Sequence, residues 1–81
     1  MSIAVIIPTY NRIELTQNCL ASINRHDPID QLIIVDNGST DGSERLATVA
    51  LDTNEGFAFA CSRGALEATT DKLIFLNILL S

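Results

Sequence analysis

Residues able to bind a ligand occur in three short segments, and the first is Pro8–Arg12, with the sequence PTYNR. The ring of Tyr10 can stack on a nucleobase, and its hydroxyl can hydrogen-bond to a sugar or a phosphate. Arg12 can meet a phosphate where a helix begins beside it, because helix N-termini attract anions. The same residues also suit a structural interpretation, in which Pro8 ends a strand, Asn11 caps a helix and Arg12 is merely exposed.

The second segment, residues 34–42 with the sequence IVDNGSTDG, places a carboxylate at the end of an apolar run. A buried carboxylate is costly unless it is paired or solvated in a cleft, so Asp36 is suited to accept hydrogen bonds from a ribose hydroxyl or a base N–H. Gly38 permits a tight reversal of the chain after it. The alternative is that Asp36 and Asp41 only satisfy turn and cap amides.

The third segment, residues 54–57 with the sequence NEGF, stands at the predicted start of a helix. Gly56 can let the backbone approach a ligand closely, because it has no side chain. In the competing interpretation Asn54 is only a helix cap and Gly56 only a turn residue. The segment therefore leaves a binding role and a structural role equally open.

The composition predicts one small globular domain. The chain has 81 residues, of which 47% are hydrophobic and 19% charged, a balance typical of folded proteins. Its net charge of −5 speaks against broad binding to nucleic acid or anionic membranes, which needs a basic surface. No apolar run is long enough to span a bilayer and no signal-peptide pattern is visible, so we expect a cytoplasmic protein.

The cysteines and the histidine are predicted to be structural. Cys19 and Cys61 fall in predicted helices without a CxxC spacing or a nearby histidine, which is typical of small buried hydrophobes. His26 precedes a turn, so we expect it to be exposed or to end a helix. The sequence contains neither GxGxxG after its first strand nor GxxxxGK[ST], which argues against a dinucleotide-binding Rossmann domain and a P-loop enzyme.

Short apolar runs alternate with helical patterns along the chain, which is typical of a parallel α/β sheet. Strands are predicted at residues 3–7, 31–35, 50–52 and 72–76, and helices at about 11–24, 41–49 and 54–68. Right-handed crossovers then give a four-stranded, Rossmann-like sheet of order 3-2-1-4, flanked by helices. Ligands of such sheets bind beside the topological switch, where the loops after the first, second and fourth strands meet.

Apolar periodicity also predicts which faces are buried. The stripe of the first helix consists of Leu15, Cys19, Leu20 and Ile23. Thr16 falls on its polar side, and Asn11 with Glu14 has the spacing of a capping box. The stripe of the third helix consists of Phe57, Cys61, Ala65 and Ala68. The apolar run LIFLN at residues 73–77 predicts a buried strand.

Four strings make the chain resemble the N-terminal part of family 2 glycosyltransferases with the GT-A fold. They are VIIPTYNR (5–12), IIVDNGSTDGS (33–43), NEGFAFACSRG (54–64) and LIFLN (73–77), in the family's order and spacing. The resemblance implies that residues 1–81 are the nucleotide-sugar-binding portion of an enzyme that transfers a sugar from a nucleoside diphosphate to a saccharide or lipid-linked acceptor, with inversion at the anomeric carbon. It also implies that Pro8 and Tyr10 line the nucleoside pocket, that Asp36 contacts base or ribose, and that the Gly56 region closes the base site.

The chain departs from the family pattern at three places. Asn37 stands where many relatives carry a second acid, and the pair Asp36–Asn37 resembles that of some rhamnosyltransferases, which hints at a UDP- or dTDP-sugar donor. Ser62 stands where asparagine is usual. The family's DxD-type motif, which holds Mg²⁺ or Mn²⁺ against the diphosphate, is replaced after LIFLN by residues 78–80, ILL.

These observations give a definite set of expectations. The predicted nucleotide-binding residues are Pro8, Tyr10, Arg12, Asp36, Asn37 and Gly56. No catalytic or metal-binding residue is predicted within the chain, although the family implies Mg²⁺ or Mn²⁺, so we expect a truncated glycosyltransferase that is inactive alone. The alternative is a non-catalytic nucleotide-binding or protein-interaction module. The apolar last strand is predicted to promote self-association, because an uncovered strand edge invites pairing.

Overall fold

Runs of β-branched residues form the two central strands of a parallel sheet, because such residues suit strands that are covered on both faces. The computed structural model describes residues 1–26 and 28–78, apart from the side chains of residues 24–26. Its elements are β1 (Ile3–Thr9), α1 (Ile13–His26), β2 (Gln31–Asp36), a 3₁₀ turn (Ser43–Arg45), β3 (Val49–Ala50), α2 (Phe57–Glu67) and β4 (Lys72–Phe75). The strand order β3-β2-β1-β4 confirms the predicted four-stranded sheet, and all three pairings are parallel.

Strand β1 lies at the centre of the sheet and continues beyond the predicted end. The prediction that Pro8 ends the strand is wrong, since Pro8 pairs in register with Val35 and the strand reaches Thr9. The Ile6 carbonyl accepts a hydrogen bond from the Leu76 N–H on the β4 side, so Pro8, two residues on, faces the same side. Because β4 ends at Phe75, the missing N–H of Pro8 removes no ladder bond.

Each face of the sheet carries its own core. One face is packed by α2, and its buried residues are Ala4, Ile6, Ile33, Val35 and Ala60. The other face is packed by α1, and its buried residues are Val5, Ile7, Ile34 and Ile78, with Cys19, Leu20 and Ile23 of α1 against them. Alternate residues of β1 therefore supply both cores, as expected for a central parallel strand.

Helix α1 buries a threonine where the periodicity predicts a leucine. Leu15 is 41% exposed, whereas Thr16 is fully buried, so both predictions for these residues are wrong. The Thr16 hydroxyl donates to the Arg12 carbonyl at 2.9 Å, and its oxygen lies 2.8 Å from the Thr9 hydroxyl oxygen. Since the single hydroxyl hydrogen of Thr16 is directed at the Arg12 carbonyl, Thr9 is the donor in this second bond. The pair joins the end of β1 to the first turn of α1.

We expect Thr16→Val to destabilise the fold by about 1–3 kcal/mol, because it leaves the buried Thr9 hydroxyl without a partner. The measurement is the free energy of unfolding in urea. The double variant Thr9→Val/Thr16→Val removes both polar groups, so it should recover much of the loss. A double variant as unstable as the sum of the two single ones would contradict this account of the pair.

Helix α2 packs on the sheet through small residues. Ala60 and Gly64 are its buried residues, one turn apart on the side that faces β1 and β2. Ala65 and Ala68 pack at the margin of this core, as predicted. Phe57, which the periodicity places in the same stripe, is 46% exposed instead. The buried face of α2 is therefore rotated from the predicted face by part of a turn.

The segment between β2 and β3 contains less helix than expected. The prediction of a helix over residues 41–49 is wrong, since only the 3₁₀ turn at Ser43–Arg45 forms there. Val49 already pairs with Val35 in the sheet, which leaves room for a single turn. The sheet pairing of Val49 thus overrides its place in the helical pattern.

Strand β4 is one of the two edge strands of the sheet. Its residues Leu73, Ile74 and Phe75 are 39%, 47% and 46% exposed, so the prediction of a buried strand is wrong although its place beside β1 is right. Leu73 and Phe75 lie on the α2 face of the sheet, and α2 packs mainly on β1 and β2, so the helix leaves these two side chains largely uncovered. Within residues 1–26 and 28–78, no strand pairs with the outer edge of β4.

The remaining structural predictions concern the histidine and the cysteines. His26 is the last residue of α1, which confirms its predicted place at a helix end. Cys19 and Cys61 are free and half-buried, and burial raises the pKa of both thiols. Among the described residues, no helix has the length and apolar character needed to cross a membrane.

Candidate functional site

A cleft of about 300 Å³ opens at the carboxyl ends of the strands. Its walls come from the loops after β1 and β2, the segment before α2 and the residues after β4. The lining residues are Pro8, Thr9, Tyr10, Arg12, Asn37, Asn54, Gly56, Phe57, Asn77 and Ile78. The sheet order reverses between β1 and β4, so the cleft lies at the topological switch, where open α/β sheets bind their ligands.

Five of the six predicted nucleotide-binding residues line this cleft, namely Pro8, Tyr10, Arg12, Asn37 and Gly56. Pro8 is buried at the end of β1 and forms part of the wall. Tyr10 is 44% exposed, so one part of its ring is free to contact a ligand. Arg12 is exposed, and its Nη1 donates to the Asn11 carbonyl at 3.0 Å. An aromatic ring and a guanidinium thus stand two residues apart on one wall.

Asp36 is the predicted site residue that does not line the cleft. Its side chain is 1% exposed. One carboxylate oxygen accepts a hydrogen bond from the Ser39 N–H at 2.8 Å, and the other accepts one from the Ser39 hydroxyl. The direct contact between Asp36 and a nucleoside stays a prediction, and it would require this buried carboxylate to become accessible from the cleft.

Asn37 connects the cleft wall to the segment before α2. Its carboxamide oxygen accepts a hydrogen bond from the Glu55 N–H at 3.2 Å, and its Nδ2 donates to the Gly56 carbonyl at 3.4 Å. The backbone at Gly38 packs closely against the same segment, since a Cβ there would lie 2.9 Å from the Thr53 Cα. The loop after β2 therefore fixes the position of Gly56.

Asn11 adopts a backbone conformation that could not be predicted from the sequence. Its φ is +49°, in the left-handed region that asparagine tolerates better than most residues. The predicted capping box with Glu14 is wrong, because the Asn11 side chain turns to the neighbouring loop, where its Oδ1 accepts from the Thr40 N–H at 2.8 Å. The Asn11 N–H donates to the Ser39 hydroxyl oxygen at 2.8 Å.

The residue that caps α1 is Asp41, which sequence reasoning assigned to its own turn. Its Oδ2 accepts a hydrogen bond from the Ile13 N–H at 3.0 Å, and its Oδ1 accepts one from the Ser43 N–H at 2.9 Å. The Ser43 side chain makes the largest contribution to lowering the pKa of the Asp41 carboxyl, and the N–H groups of Ser43 and Ile13 lower it further. Together they outweigh desolvation, which raises the pKa, so the pKa lies below its usual value. A negative charge beside a helix N-terminus is favourable.

Acidification is expected to weaken the link between Asp41 and α1. Because the folded state lowers the pKa of this carboxyl, its contribution is fully present above the ordinary aspartate pKa of about 3.9 and is lost as the pH falls through the lowered value. Urea midpoints measured from neutral to acidic pH should therefore fall less steeply for Asp41→Asn than for the wild type. Asp52→Asn, at an exposed position, is the control, and an identical pH profile for all three proteins would contradict the assignment.

The residues at the end of β4 do not suit a divalent cation. Asn77 and the buried Ile78 follow the strand, where the resemblance to the family implies carboxylates, and Leu79 and Leu80 lie outside the described residues. In the part of the chain that the structure describes, no group of three or more His, Cys, Asp or Glu side chains could hold a metal ion. Hard cations of this kind need oxygen ligands such as carboxylates, and the described residues supply no such set.

Comparison with known proteins gives two findings. The family model described as Glycosyl transferase family 2 matches residues 4–77. Abequosyltransferase RfbV of Salmonella typhimurium is 32% identical over 84 residues, an alignment that includes all of this chain and 25% of that protein. The chain thus spans about a quarter of the length of this relative. No solved structure matches the chain at a significant level.

Proposed function

The chain belongs to glycosyl transferase family 2, and on this premise we propose that its cleft binds the nucleotide part of a nucleoside diphosphate sugar. The observation that carries the proposal is the cleft itself, in which a half-exposed aromatic ring and a guanidinium share one wall at the topological switch of the sheet. Its volume of about 300 Å³ lies at the lower end of the range for small-molecule sites. The donors proposed first are UDP- and dTDP-sugars.

The proposed orientation follows from the chemistry of the walls. The base stacks on Tyr10, since aromatic side chains bind nucleobases through their faces. Asn37 and Gly56, from the loop after β2 and the segment before α2, line the same cleft and close around the base and ribose. Arg12 meets the diphosphate, because it is the basic residue among the described lining residues and it precedes the N-terminus of α1, where anions are favoured.

Sugar transfer by this chain alone is not part of the proposal. Among the described residues, the cleft lining includes no carboxylate and no imidazole, and these are the usual general bases. We propose that the chain retains donor binding, while the groups that activate the acceptor belong to parts of related proteins beyond the quarter that this chain matches. Turnover of a UDP- or dTDP-sugar by the purified 81-residue chain with Mn²⁺ would contradict this proposal.

Isothermal titration with free diphosphates tests the binding proposal. UDP, dTDP and CDP are titrated in the absence of metal, with GDP as the purine comparison and uridine as the comparison without phosphates. We expect binding of at least one pyrimidine diphosphate that weakens with added salt, since exposed charge pairs are screened. Arg12→Gln should weaken this binding, whereas Arg45→Gln, in the 3₁₀ turn and outside the cleft lining, should not. Absence of binding for every diphosphate would refute the proposal.

Self-association through β4 is a second proposal, favoured by the exposure of Leu73, Ile74 and Phe75. The N–H groups of Lys72 and Leu76 bond to the β1 side, so the backbone groups of Leu73 and Phe75 point outward, where a second copy could pair with them. We expect a concentration-dependent dimer in sedimentation equilibrium. Leu73→Lys should abolish it, while Leu66→Lys on α2, where the leucine is 79% exposed, should not. A wild-type monomer at all concentrations would contradict this.

A further inference from the structure

We propose that Asp36 and Ser39 are positioning residues, which act through Asn11 to hold Tyr10 and Arg12 on the cleft wall. Asp36 thereby has an indirect role in place of the direct nucleoside contact expected from the sequence. Its relevance to nucleotide binding depends on the function proposed above, but the arrangement itself is tested without any ligand.

Asp36 is hydrogen-bonded to Ser39 through both of its carboxylate oxygens. The carboxylate is 1% exposed, and its two oxygens accept from the N–H and the hydroxyl of the same residue. A charged acceptor that is shielded from water makes strong hydrogen bonds. The Ser39 hydroxyl is therefore held in one orientation, with its hydrogen directed at Asp36.

The lone pairs of the Ser39 hydroxyl oxygen are directed away from Asp36. A serine hydroxyl has one hydrogen and two lone pairs. Because its hydrogen is directed at Asp36, the oxygen presents lone pairs elsewhere, and the Asn11 N–H donates to it at 2.8 Å. Asp36 is thus connected to the loop after β1 by a chain of two hydrogen bonds in a fixed direction.

The backbone conformation of Asn11 depends on hydrogen bonds from the neighbouring loop. Its left-handed φ of +49° is unfavourable for a residue with a side chain, so the neighbouring structure must maintain it. Two bonds from the loop after β2 do so, namely the bond to Ser39 and the bond from the Thr40 N–H to the Asn11 Oδ1 at 2.8 Å.

The consequence for the cleft follows from the position of Asn11 in the sequence. Asn11 stands between Tyr10 and Arg12, and both of these residues line the cleft. A change in the backbone at Asn11 redirects the two side chains relative to each other. Asp36 and Ser39 therefore organise the cleft wall before a ligand arrives, and this lowers the ordering cost of binding.

The experiment uses two readouts on the ligand-free protein. The first is amide hydrogen exchange at Asn11, which should be about fivefold faster in Ser39→Ala, as expected for the loss of one typical hydrogen bond. The second is quenching of Tyr10 fluorescence by acrylamide, which should increase in the same variant. Tyr10 is the single tyrosine of a chain without tryptophan, so the signal reports on this loop alone.

Three further variants separate positioning from general destabilisation. Ser39→Thr keeps the hydroxyl and should restore slow exchange at Asn11, while Ser62→Ala, an exposed serine on α2, should change neither readout. Asp36→Asn should accelerate exchange at Asn11, but it should add little in the Ser39→Ala background, because Asp36 acts through Ser39. If Asp36→Asn does not fold, Ser39→Ala and Ser39→Thr still decide the question.

The outcomes are distinguishable from those of the binding proposal. Faster exchange confined to Asn11 and its neighbours, with unchanged exchange in β1, supports the positioning role. Unchanged exchange at Asn11 in Ser39→Ala, or an equal increase throughout β1, overturns it. Failure of the wild type to bind any diphosphate overturns only the proposed function. Where the wild type does bind UDP, Ser39→Ala should weaken its affinity by about fivefold.

Discussion

Replacing Gly64 with valine is expected to unfold the protein. Gly64 is buried in the middle of α2 against the sheet, and a Cβ at this position would lie 2.5 Å from the Ile6 Cγ2 and 3.0 Å from the Val35 Cγ2. Both are methyl groups on β-branched side chains, which have few alternative rotamers. Overpacking of a core costs about 1–3 kcal/mol for small additions and more for larger ones, while domains of this size have a total stability near the lower limit of about 5 kcal/mol.

Gly64→Ala provides the graded test of the same contact. Alanine is favoured over glycine in a helix by about 1 kcal/mol, so a net destabilisation of about 1–3 kcal/mol in urea would show that the collision outweighs this gain. Ser62→Ala, at an exposed position of the same helix, is the matched control and should be neutral or slightly stabilising. Equal stabilities for Gly64→Ala and Ser62→Ala would show that α2 can move away from the sheet at no cost.

Replacing Tyr10 with alanine is expected to have the largest effect on nucleotide binding. Stacking of a base on an aromatic ring contributes about 1–3 kcal/mol, so Tyr10→Ala should weaken binding of the preferred diphosphate by roughly tenfold or more. Tyr10→Phe keeps the ring and should stay within about threefold of the wild type unless the hydroxyl bonds to the sugar or phosphate. The measurement is isothermal titration at constant salt.

The control for this prediction is a second exposed ring. Phe59 on α2 is 50% exposed and does not line the cleft, so Phe59→Ala should leave the affinity unchanged. Both variants remove an exposed aromatic side chain, and comparison of the two separates stacking from general effects on stability. Wild-type affinity in Tyr10→Ala would place the base elsewhere and would refute the proposed orientation.

The sheet could be predicted from the sequence because its determinants are local. Continuous β-branched runs indicate β1 and β2, and the alternation with helical patterns indicates parallel pairing in the order that the structure shows. The exposure of β4 could not be predicted in the same way, because an apolar strand has the same sequence whether or not a neighbour covers it. Thr16 was assigned to the polar side for a related reason, since its partner Thr9 belongs to another element.

The candidate site could be predicted in its location but not in its hydrogen bonding. The residues at strand ends indicate the cleft, and five of the six proposed residues line it. The bonds that organise the loops join residues 28 or 29 positions apart, such as Ile13 with Asp41 and Thr40 with Asn11. Helix-capping patterns consider only near neighbours, so they assigned Asn11 to the wrong amide and gave Asp41 its own turn but not the Ile13 N–H.

The central position of β1 has a consequence for the order of assembly during protein synthesis. Strand β1 leaves the ribosome before β4, with which it pairs on one side, and the bond from the Asp71 N–H to the Ser2 hydroxyl joins residues 69 positions apart. Closing so long a loop is slow, so the nascent chain must hold an apolar strand half-paired until β4 has emerged. Holdase chaperones that recognise extended apolar segments would find residues 3–9 available throughout that interval.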